Sequence, residues 1–185
     1  MQSLRTLLLT LLSFAATSVL ASSPALDAPL PLLQIDDRGE LVKQGEDFDW
    51  TPWSSSNNPG VVHVIQYFGA NLGDRDVFEP LTDAIQAKFE PGSVHVTTVL
   101  NMDAALWGTS GFVISELEKN KTQHPTATMV IDEEGTGIEA WGLGKEGTGL
   151  IVMDSRGVVK YFTRGSPSEA EVASTIELIQ ANIGS

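Results

Sequence analysis

The chain contains 185 residues and no cysteine, which excludes thiol–disulfide chemistry and disulfide bonds. It carries 24 acidic and 11 basic side chains and a formal net charge of −13, a balance that disfavours binding to nucleic acids and to anionic membranes. The acidic residues are scattered along the chain, which is typical of the solvated surface of a globular protein.

The amino-terminal residues have the pattern of a secretory signal peptide. Arg5 is the only charged residue before Asp27, and the apolar segment 7–16 follows it. Small residues around Ala21 fit the cleavage site that a signal peptidase recognises. We therefore predict that residues 1–21 are removed after Ala21 and that the mature protein is periplasmic. The alternative, a membrane anchor, is disfavoured because the apolar segment is shorter than the roughly 20 residues that span a bilayer, so we expect no membrane insertion after cleavage.

The mature chain has the size of one domain, residues 34–185, preceded by a proline-rich lead-in at residues 22–33. We expect this lead-in to be loosely attached. Residues 36–39 predict a turn between two short strands. Residues 45–60 predict an irregular connection, in which Trp50 and Trp53 either pack under a loop or form a binding edge.

A strand–helix–strand unit follows. Residues 61–68 are nearly all apolar and β-branched or aromatic, which predicts a buried parallel strand. Residues 94–100 predict a second strand. Between the two strands, four apolar residues stand at helical spacing: Phe78, Leu81, Ile85 and Phe89.

The second half of the chain predicts a loop at residues 101–111, a short helix at residues 112–120 and a strand at residues 127–131. Thr109 or Ser110 is expected to cap the helix, and residues 132–135 are expected to be a solvated turn.

The carboxy-terminal part predicts a β-hairpin between residues 150–153 and 158–162, followed by a helix. Ser166 is expected to be the N-cap of that helix, in a capping box. The helix should lay an apolar stripe on the sheet: Val172, Ile176, Ile179 and Ile183.

Residues 65–80 resemble the active-site segment of thioredoxins without its cysteines. If Pro80 is aligned with the thioredoxin proline, Leu72 and Arg75 take the positions of the two cysteines. Residues 140–154 are similar to the segment that carries the cis-proline, and Thr148 takes the place of that proline. The resemblance implies an α/β, thioredoxin-like fold of the peroxiredoxin/TlpA-type branch, with a central mixed sheet flanked by helices. It also implies a peptide-binding groove lined by Leu72, Arg75, Trp107 and Thr148.

The mature chain also resembles the YtfJ family of small exported bacterial proteins over nearly all of its length. The segments that carry this resemblance are residues 35–42, 97–111, 112–121 and 131–141. The resemblance supplies no catalytic residues.

Metal and cofactor motifs are absent from the sequence. The three histidines, His63, His95 and His124, do not have metal-ligand spacing. His63 and His95 lie inside apolar strands, where we expect neutral, hydrogen-bonded imidazoles. No phosphate-binding or serine-nucleophile motif is present, so we predict no metal and no cofactor.

Arg75 is the only cation in the loop that replaces the thioredoxin active site. It could clamp an anion together with free backbone amides, or it could pair with Asp74 and Asp76 while these two cap the helix. We predict a binding or accessory protein whose partner is a peptide or protein of the periplasm. The alternatives are a non-thiol enzyme that uses loop carboxylates such as Asp103, and a structural component of the cell envelope.

Overall fold

The computed structural model describes residues 23–184, and the predicted signal peptide lies outside this range. The helices and strands are β1 (Gln34–Gln44), β2 (Asp47–Ser54), β3 (Val62–Gly69), α1 (Glu79–Lys88), β4 (Val94–Asn101), α2 (Ser110–Gln123), β5 (Thr128–Asp132), α3 (Thr136–Ala140), β6 (Gly149–Met153), β7 (Val159–Arg164) and α4 (Glu169–Asn182). A short 3-10 helix, Met102–Ala104, follows β4. Among these elements, no helix is long and apolar enough to cross a membrane.

In residues 23–184 the strands form one seven-stranded mixed sheet in the order β2-β1-β5-β4-β3-β6-β7. β3, β4 and β5 are parallel, and antiparallel strands flank them on both sides. The predicted β3–α1–β4 unit and the β6–β7 hairpin are present. In these elements the apolar residues that set the sequence pattern are the ones that become buried. The sheet is flanked by helices, as the thioredoxin resemblance implied.

Alternation along the strands divides the core between the two faces of the sheet. Val62 and Val64 of β3 pack with α1 and α4 on one face. Ile65 and Tyr67 point to the other face, where they join a cluster that includes Trp141 of the segment after α3. The prediction that the last helix packs on the sheet is confirmed by the burial of Ile176 and Ile179, although Val172 and Ile183 are only partly buried.

The lead-in is packed against the domain, which corrects the expectation of a loose attachment. The N–H of Asp27 donates to the carbonyl of Val159 at 2.8 Å, and the indole N–H of Trp141 donates to the carbonyl of Pro31 at 2.9 Å. Leu33 is buried in the same cluster as Trp53 and Trp141. Prolines suit this segment because it forms only an isolated bridge, Pro29 with Val158, and few ladder hydrogen bonds need its N–H groups.

The prediction of a turn at residues 36–39 is wrong, because these residues are part of strand β1. The register of β1 against β2 shifts between Ile35 and Glu40. Gly39 causes the shift: its φ is +76°, and a Cβ atom there would lie 2.1 Å from the carbonyl oxygen of Thr51. The chain reverses instead at Gly45, and β2 occupies half of the predicted irregular connection, with its Trp53 side chain buried.

The capping box of α4 begins two residues later than predicted. Ser168 is the N-cap: its Oγ accepts from the N–H of Glu171 at 3.3 Å, and Glu171 Oε2 accepts from the N–H of Ser168 at 2.8 Å. Ser166 precedes this box. Ser166 and Ser168 each stand next to Pro167 and three residues before a glutamate, so the local sequence pattern did not distinguish them.

Candidate functional site

The loops that follow β3 and β4 lie side by side at the carboxyl ends of these parallel strands. Gly69 ends β3, and a Cβ atom at this position would lie 2.9 Å from the Cβ atom of Ala104 and 2.7 Å from Asp74 Oδ2. Side chains do not tolerate approaches this close. Glycine at position 69 therefore allows the two loops to come together.

Asn71 shapes the loop after β3. Its Oδ1 accepts from the N–H groups of Gly73 at 2.8 Å and Asp74 at 3.1 Å, and its Nδ2 donates to Asp74 Oδ2 at 2.8 Å. This turn, which an asparagine side chain stabilises, places Leu72 at its exposed tip. Asn71 therefore has a structural role in this loop.

Asn101 joins the loops after β3, β4 and β5. Its carbonyl oxygen accepts from the N–H of Ala70 at 2.9 Å, and its Oδ1 accepts from the N–H of Asp103 at 3.0 Å. Gly135, at φ +69°, passes so close that a Cβ atom there would lie 2.9 Å from the same Oδ1. Because Asn101 is buried, these contacts hold the three loops in fixed relative positions.

The structure separates the four residues predicted to line a groove. Leu72, Arg75 and Trp107 lie on the open surface, and Trp107 is fully exposed. Thr148 is buried, so its side chain does not contribute to that surface. The chain has no cis peptide bond within residues 23–184, in agreement with the replacement of the proline by Thr148.

Arg75 and its neighbours Asp74 and Asp76 lie in the loop before α1 and do not cap that helix. Arg75 Nε lies 3.7 Å from Asp76 Oδ1, which is the pairing weighed against an anion clamp. Helix α1 begins only at Glu79, and its N-cap, Phe78, makes no side-chain capping bond. The expectation that Asp74 and Asp76 cap the helix is therefore wrong; Asp74 is held by Asn71 instead. Thr109, at the start of α2, also makes no side-chain capping bond.

Two further apolar residues extend the exposed surface. Leu106 is 60% exposed and Phe112 is 61% exposed, against 77% for Leu72 and 100% for Trp107. We call the surface formed by Leu72, Arg75, Leu106, Trp107 and Phe112 the loop face. The sequence could have indicated that Leu106 is exposed, because it is an apolar residue next to Trp107 in a glycine-bearing loop. Phe112 was expected to be the first residue of a helix.

Acidic side chains outnumber basic ones in the segments that carry the loop face. Asp74 and Asp76 flank Arg75 in the sequence, Glu79 opens α1, and Asp103 lies in the 3-10 helix after β4. Residues 71–79 and 101–112 therefore carry four carboxylates and one guanidinium. The local field is negative, and it favours a partner that carries positive charge.

Asp132 is buried, which corrects the prediction of a solvated turn at residues 132–135. Its carboxylate accepts from the hydroxyl of Tyr67 at 2.8 Å, from the N–H and hydroxyl of Thr136 at 3.0 and 2.7 Å, and from the N–H of Gly137 at 2.8 Å. Burial, together with this carboxylate, holds the pKa of Tyr67 well above its usual value. All acceptor positions of the Asp132 carboxylate are filled, so the hydrogen-bonded pair of Tyr67 and Asp132 stabilises the start of α3.

His63 is a hydrogen-bonded core residue, as predicted, whereas His95 is hydrogen-bonded but only half-buried. His63 Nε2 lies 2.8 Å from Thr97 Oγ1, and His95 Nε2 lies 3.0 Å from Thr128 Oγ1. Burial lowers the pKa of both imidazoles, for His63 to about 3, so both are neutral near pH 7. In the part of the chain that the structure describes, no three histidine, aspartate or glutamate side chains converge as metal ligands would.

Comparison with solved structures agrees with the class that the fold and site define, a thioredoxin-like protein without redox thiols. SPOA0173, a thioredoxin-like superfamily protein, has a TM-score of 0.59 at 17% identity, covering 85% of this chain and 97% of that chain. A thiol-disulfide isomerase from Corynebacterium glutamicum has a TM-score of 0.57 at 16% identity over 84% and 97%. AhpC from Mycobacterium bovis has a TM-score of 0.52 at 15% identity over 86% and 97%. At these identities the likeness concerns the fold alone.

The chain belongs to the family described as "Bacterial protein of unknown function (YtfJ_HI0045)", whose model matches residues 25–182. It is 32% identical to "Uncharacterized protein YtfJ" from Escherichia coli over 82% of this chain and 83% of that protein. It is 30% identical to an "Uncharacterized protein" from Haemophilus influenzae over 89% and 90%. The resemblance drawn from the sequence is confirmed.

Proposed function

We propose that this is an exported, periplasmic binding protein, and that its loop face recognises an extended apolar segment with basic flanks in a protein or peptide partner. The observation that carries the proposal is the set of exposed large apolar side chains on two adjacent loops and the first turn of α2: Leu72, Leu106, Trp107 and Phe112. Apolar groups rimmed by polar residues are typical of interaction surfaces.

Energetics support a recognition role for this face. Burial of a large apolar side chain contributes about 1.5–3 kcal/mol, and tryptophan is enriched among the residues that dominate binding. A fully exposed Trp107 contributes none of this to folding. The buried Asn101 keeps the supporting loops in place before a partner arrives, which lowers the entropy lost on binding.

The charge pattern selects among partners. The carboxylates around Arg75 repel an acidic segment and attract lysine or arginine. Thioredoxin folds hold extended peptide beside this end of the sheet, and loss of the thiols removes the chemistry while leaving the surface available. The rival hypothesis of an enzyme based on Asp103 finds less support, because the side chain of Asp103 is exposed to solvent.

A peptide titration tests the proposal. The probes are two fluorescein-labelled synthetic peptides with the same Leu/Val-rich centre, one flanked by lysine and the other by glutamate. By fluorescence anisotropy, the lysine-flanked peptide should bind about tenfold or more tightly than the glutamate-flanked one. Equal affinities, or preference for glutamate, would contradict the charge argument.

A matched pair of leucine variants locates the binding surface. Leu106 and Leu32 are equally exposed, but Leu32 lies in the lead-in, outside the loop face. Leu106→Ala should weaken binding of the lysine-flanked peptide several-fold, while Leu32→Ala leaves it unchanged. Neither change should move the melting temperature by more than a degree or two, because neither side chain is in the core. The reverse order of effects would place the binding surface elsewhere.

Export is tested separately. When the full chain is expressed in a bacterium, mass spectrometry of the periplasmic fraction should find a mature protein that begins at Ser22. An intact chain confined to the cytoplasm would contradict the export part of the proposal without touching the binding part.

A further inference from the structure

The described part of the lead-in begins at the same end of the sheet as the loop face. Arg164 Nη2 donates to the hydroxyl of Ser23 at 2.9 Å, so Ser23 lies within one side-chain length of the end of β7. Arg164 is the register partner of Gly149 in β6, and Gly149 is the partner of Tyr67, near the carboxyl end of β3. Neighbouring strands are roughly 4.8 Å apart, so about 10 Å separate Arg164 from β3. The chain therefore enters the domain beside the loops that form the loop face.

A short connection joins Ser23 to the apolar segment 7–16, which lies outside the described residues. Residues 17–22 form this connection. An extended chain spans about 3.3–3.6 Å per residue, so these residues reach roughly 20 Å. This reach exceeds the distance of about 10 Å between Arg164 and β3. The apolar segment can therefore contact the loop face while the lead-in keeps its hydrogen bonds to the domain.

The composition of the amino-terminal residues suits the loop face. The segment 7–16 contains five leucines and one phenylalanine, and Arg5 is the only charged residue before Asp27. Contact would remove the exposed apolar side chains of both surfaces from water. The carboxylates in the segments that carry the loop face attract Arg5. Residues 5–16 thus combine a basic flank with an apolar stretch, which is the chemistry proposed above for the partner.

We infer that residues 5–16 occupy the loop face of their own chain until the signal peptide is cleaved, and that cleavage after Ala21 opens this face to its partner. The inference rests on the proposed function and on the predicted cleavage, and it names the regulation of the same site. A segment tethered by a short linker has an effective concentration in the millimolar range, so it excludes partners present at lower concentrations. Cleavage removes the tether and ends this advantage. Recognition at the loop face is thereby restricted to the exported, mature protein.

A disulfide crosslink tests the contact directly, because the chain contains no cysteine. The full chain is made in a membrane-free translation system, in which residues 1–21 are retained. In the double variant Leu9→Cys, Leu106→Cys, mild oxidation should form a disulfide within one chain, since contact brings the two Cα atoms within about 4.4–6.8 Å. The matched control is Leu9→Cys, Leu32→Cys, because Leu32 is as exposed as Leu106 but lies outside the loop face. The control should crosslink several-fold more slowly.

Two results of this experiment would overturn the inference. Equal rates for the Leu106 pair and the Leu32 pair would mean that residues 5–16 do not select the loop face. A disulfide between two chains, seen as a dimer on a non-reducing gel, would mean that a second copy supplies the segment.

The lysine-flanked peptide distinguishes failure of this inference from failure of the proposed function. It should bind the mature chain, which contains all the helices and strands given above, and bind the full chain about tenfold more weakly. If the peptide binds both forms equally, the loop face is not blocked, and the inference is overturned while the proposed function stands. If it binds neither form although the disulfide with position 106 is formed, the proposed partner is wrong whereas the occupation by residues 5–16 stands.

Discussion

Acid should destabilise this protein through His63. The pKa of this imidazole is lowered to about 3, first by burial and then by the neighbouring His95, whereas an imidazole in the unfolded chain titrates near 6.5. Below pH 6.5 the unfolded chain therefore binds a proton that the folded protein does not accept. The free energy of unfolding is unaffected by this group above pH 6.5 and falls as the pH drops towards 3.

The size of the effect follows from the pKa difference. Each pH unit below 6.5 removes about 1.4 kcal/mol, so the loss from His63 alone is about 3 kcal/mol by roughly pH 4.5. This is a large share of the 5–15 kcal/mol that stabilises a typical domain. Burial and Lys121 lower the pKa of His95 as well, so this residue adds to the loss in the same direction.

Urea unfolding of His63→Gln and His124→Gln isolates the contribution of His63. Glutamine can keep a hydrogen bond to Thr97 but does not titrate, whereas His124 is exposed and serves as the control. Between neutral pH and roughly pH 4.5, His63→Gln should lose about 3 kcal/mol less than the wild type. His124→Gln should follow the wild type. If the glutamine at position 63 leaves the pH dependence unchanged, the neutral buried imidazole is not its source.

Three further changes test the packing. Ser168→Ala should cost about 0.5–2 kcal/mol because it removes the N-cap acceptor of α4, while Ser166→Ala should be nearly neutral; the opposite order in urea melts would contradict the observed cap. Ile179→Ala should cost about 2–5 kcal/mol because it opens a cavity beneath α4, and a negligible effect would mean that the helix is not docked. Tyr67→Phe should cost about 1.5–3 kcal/mol, since it removes a donor from the buried Asp132 carboxylate; unchanged stability by chemical denaturation would contradict that role.

Regular apolar patterns in the sequence predicted most of the fold. β3, α1 and the β6–β7 hairpin follow from spacing alone, because the residues that repeat are the ones that become buried. The bulge in β1 could not be predicted in this way. It depends on contact between Gly39 and the Thr51 carbonyl across the hairpin, which a local turn signal at residues 36–39 does not reveal.

The site was harder to predict because long-range contacts determine it. Asp132 sits in a turn-like sequence, but Tyr67, distant in sequence, buries it. Trp107 and Leu72 were expected at the surface near the lost thiols, and they are exposed. Thr148 is buried by the packing around β6, which the alignment could not show.

Quenching of tryptophan fluorescence by acrylamide tests the loop face most directly. Trp107 is fully exposed, Trp50 is half-buried, and Trp53 and Trp141 are buried, so Trp107 should contribute most to quenching in the free protein. An unlabelled lysine-flanked peptide at saturation should protect this emission and shift it to shorter wavelength, and Trp107→Phe should abolish both changes. If acrylamide quenches the emission equally well with and without bound peptide, Trp107 is not covered, and recognition through the loop face is contradicted.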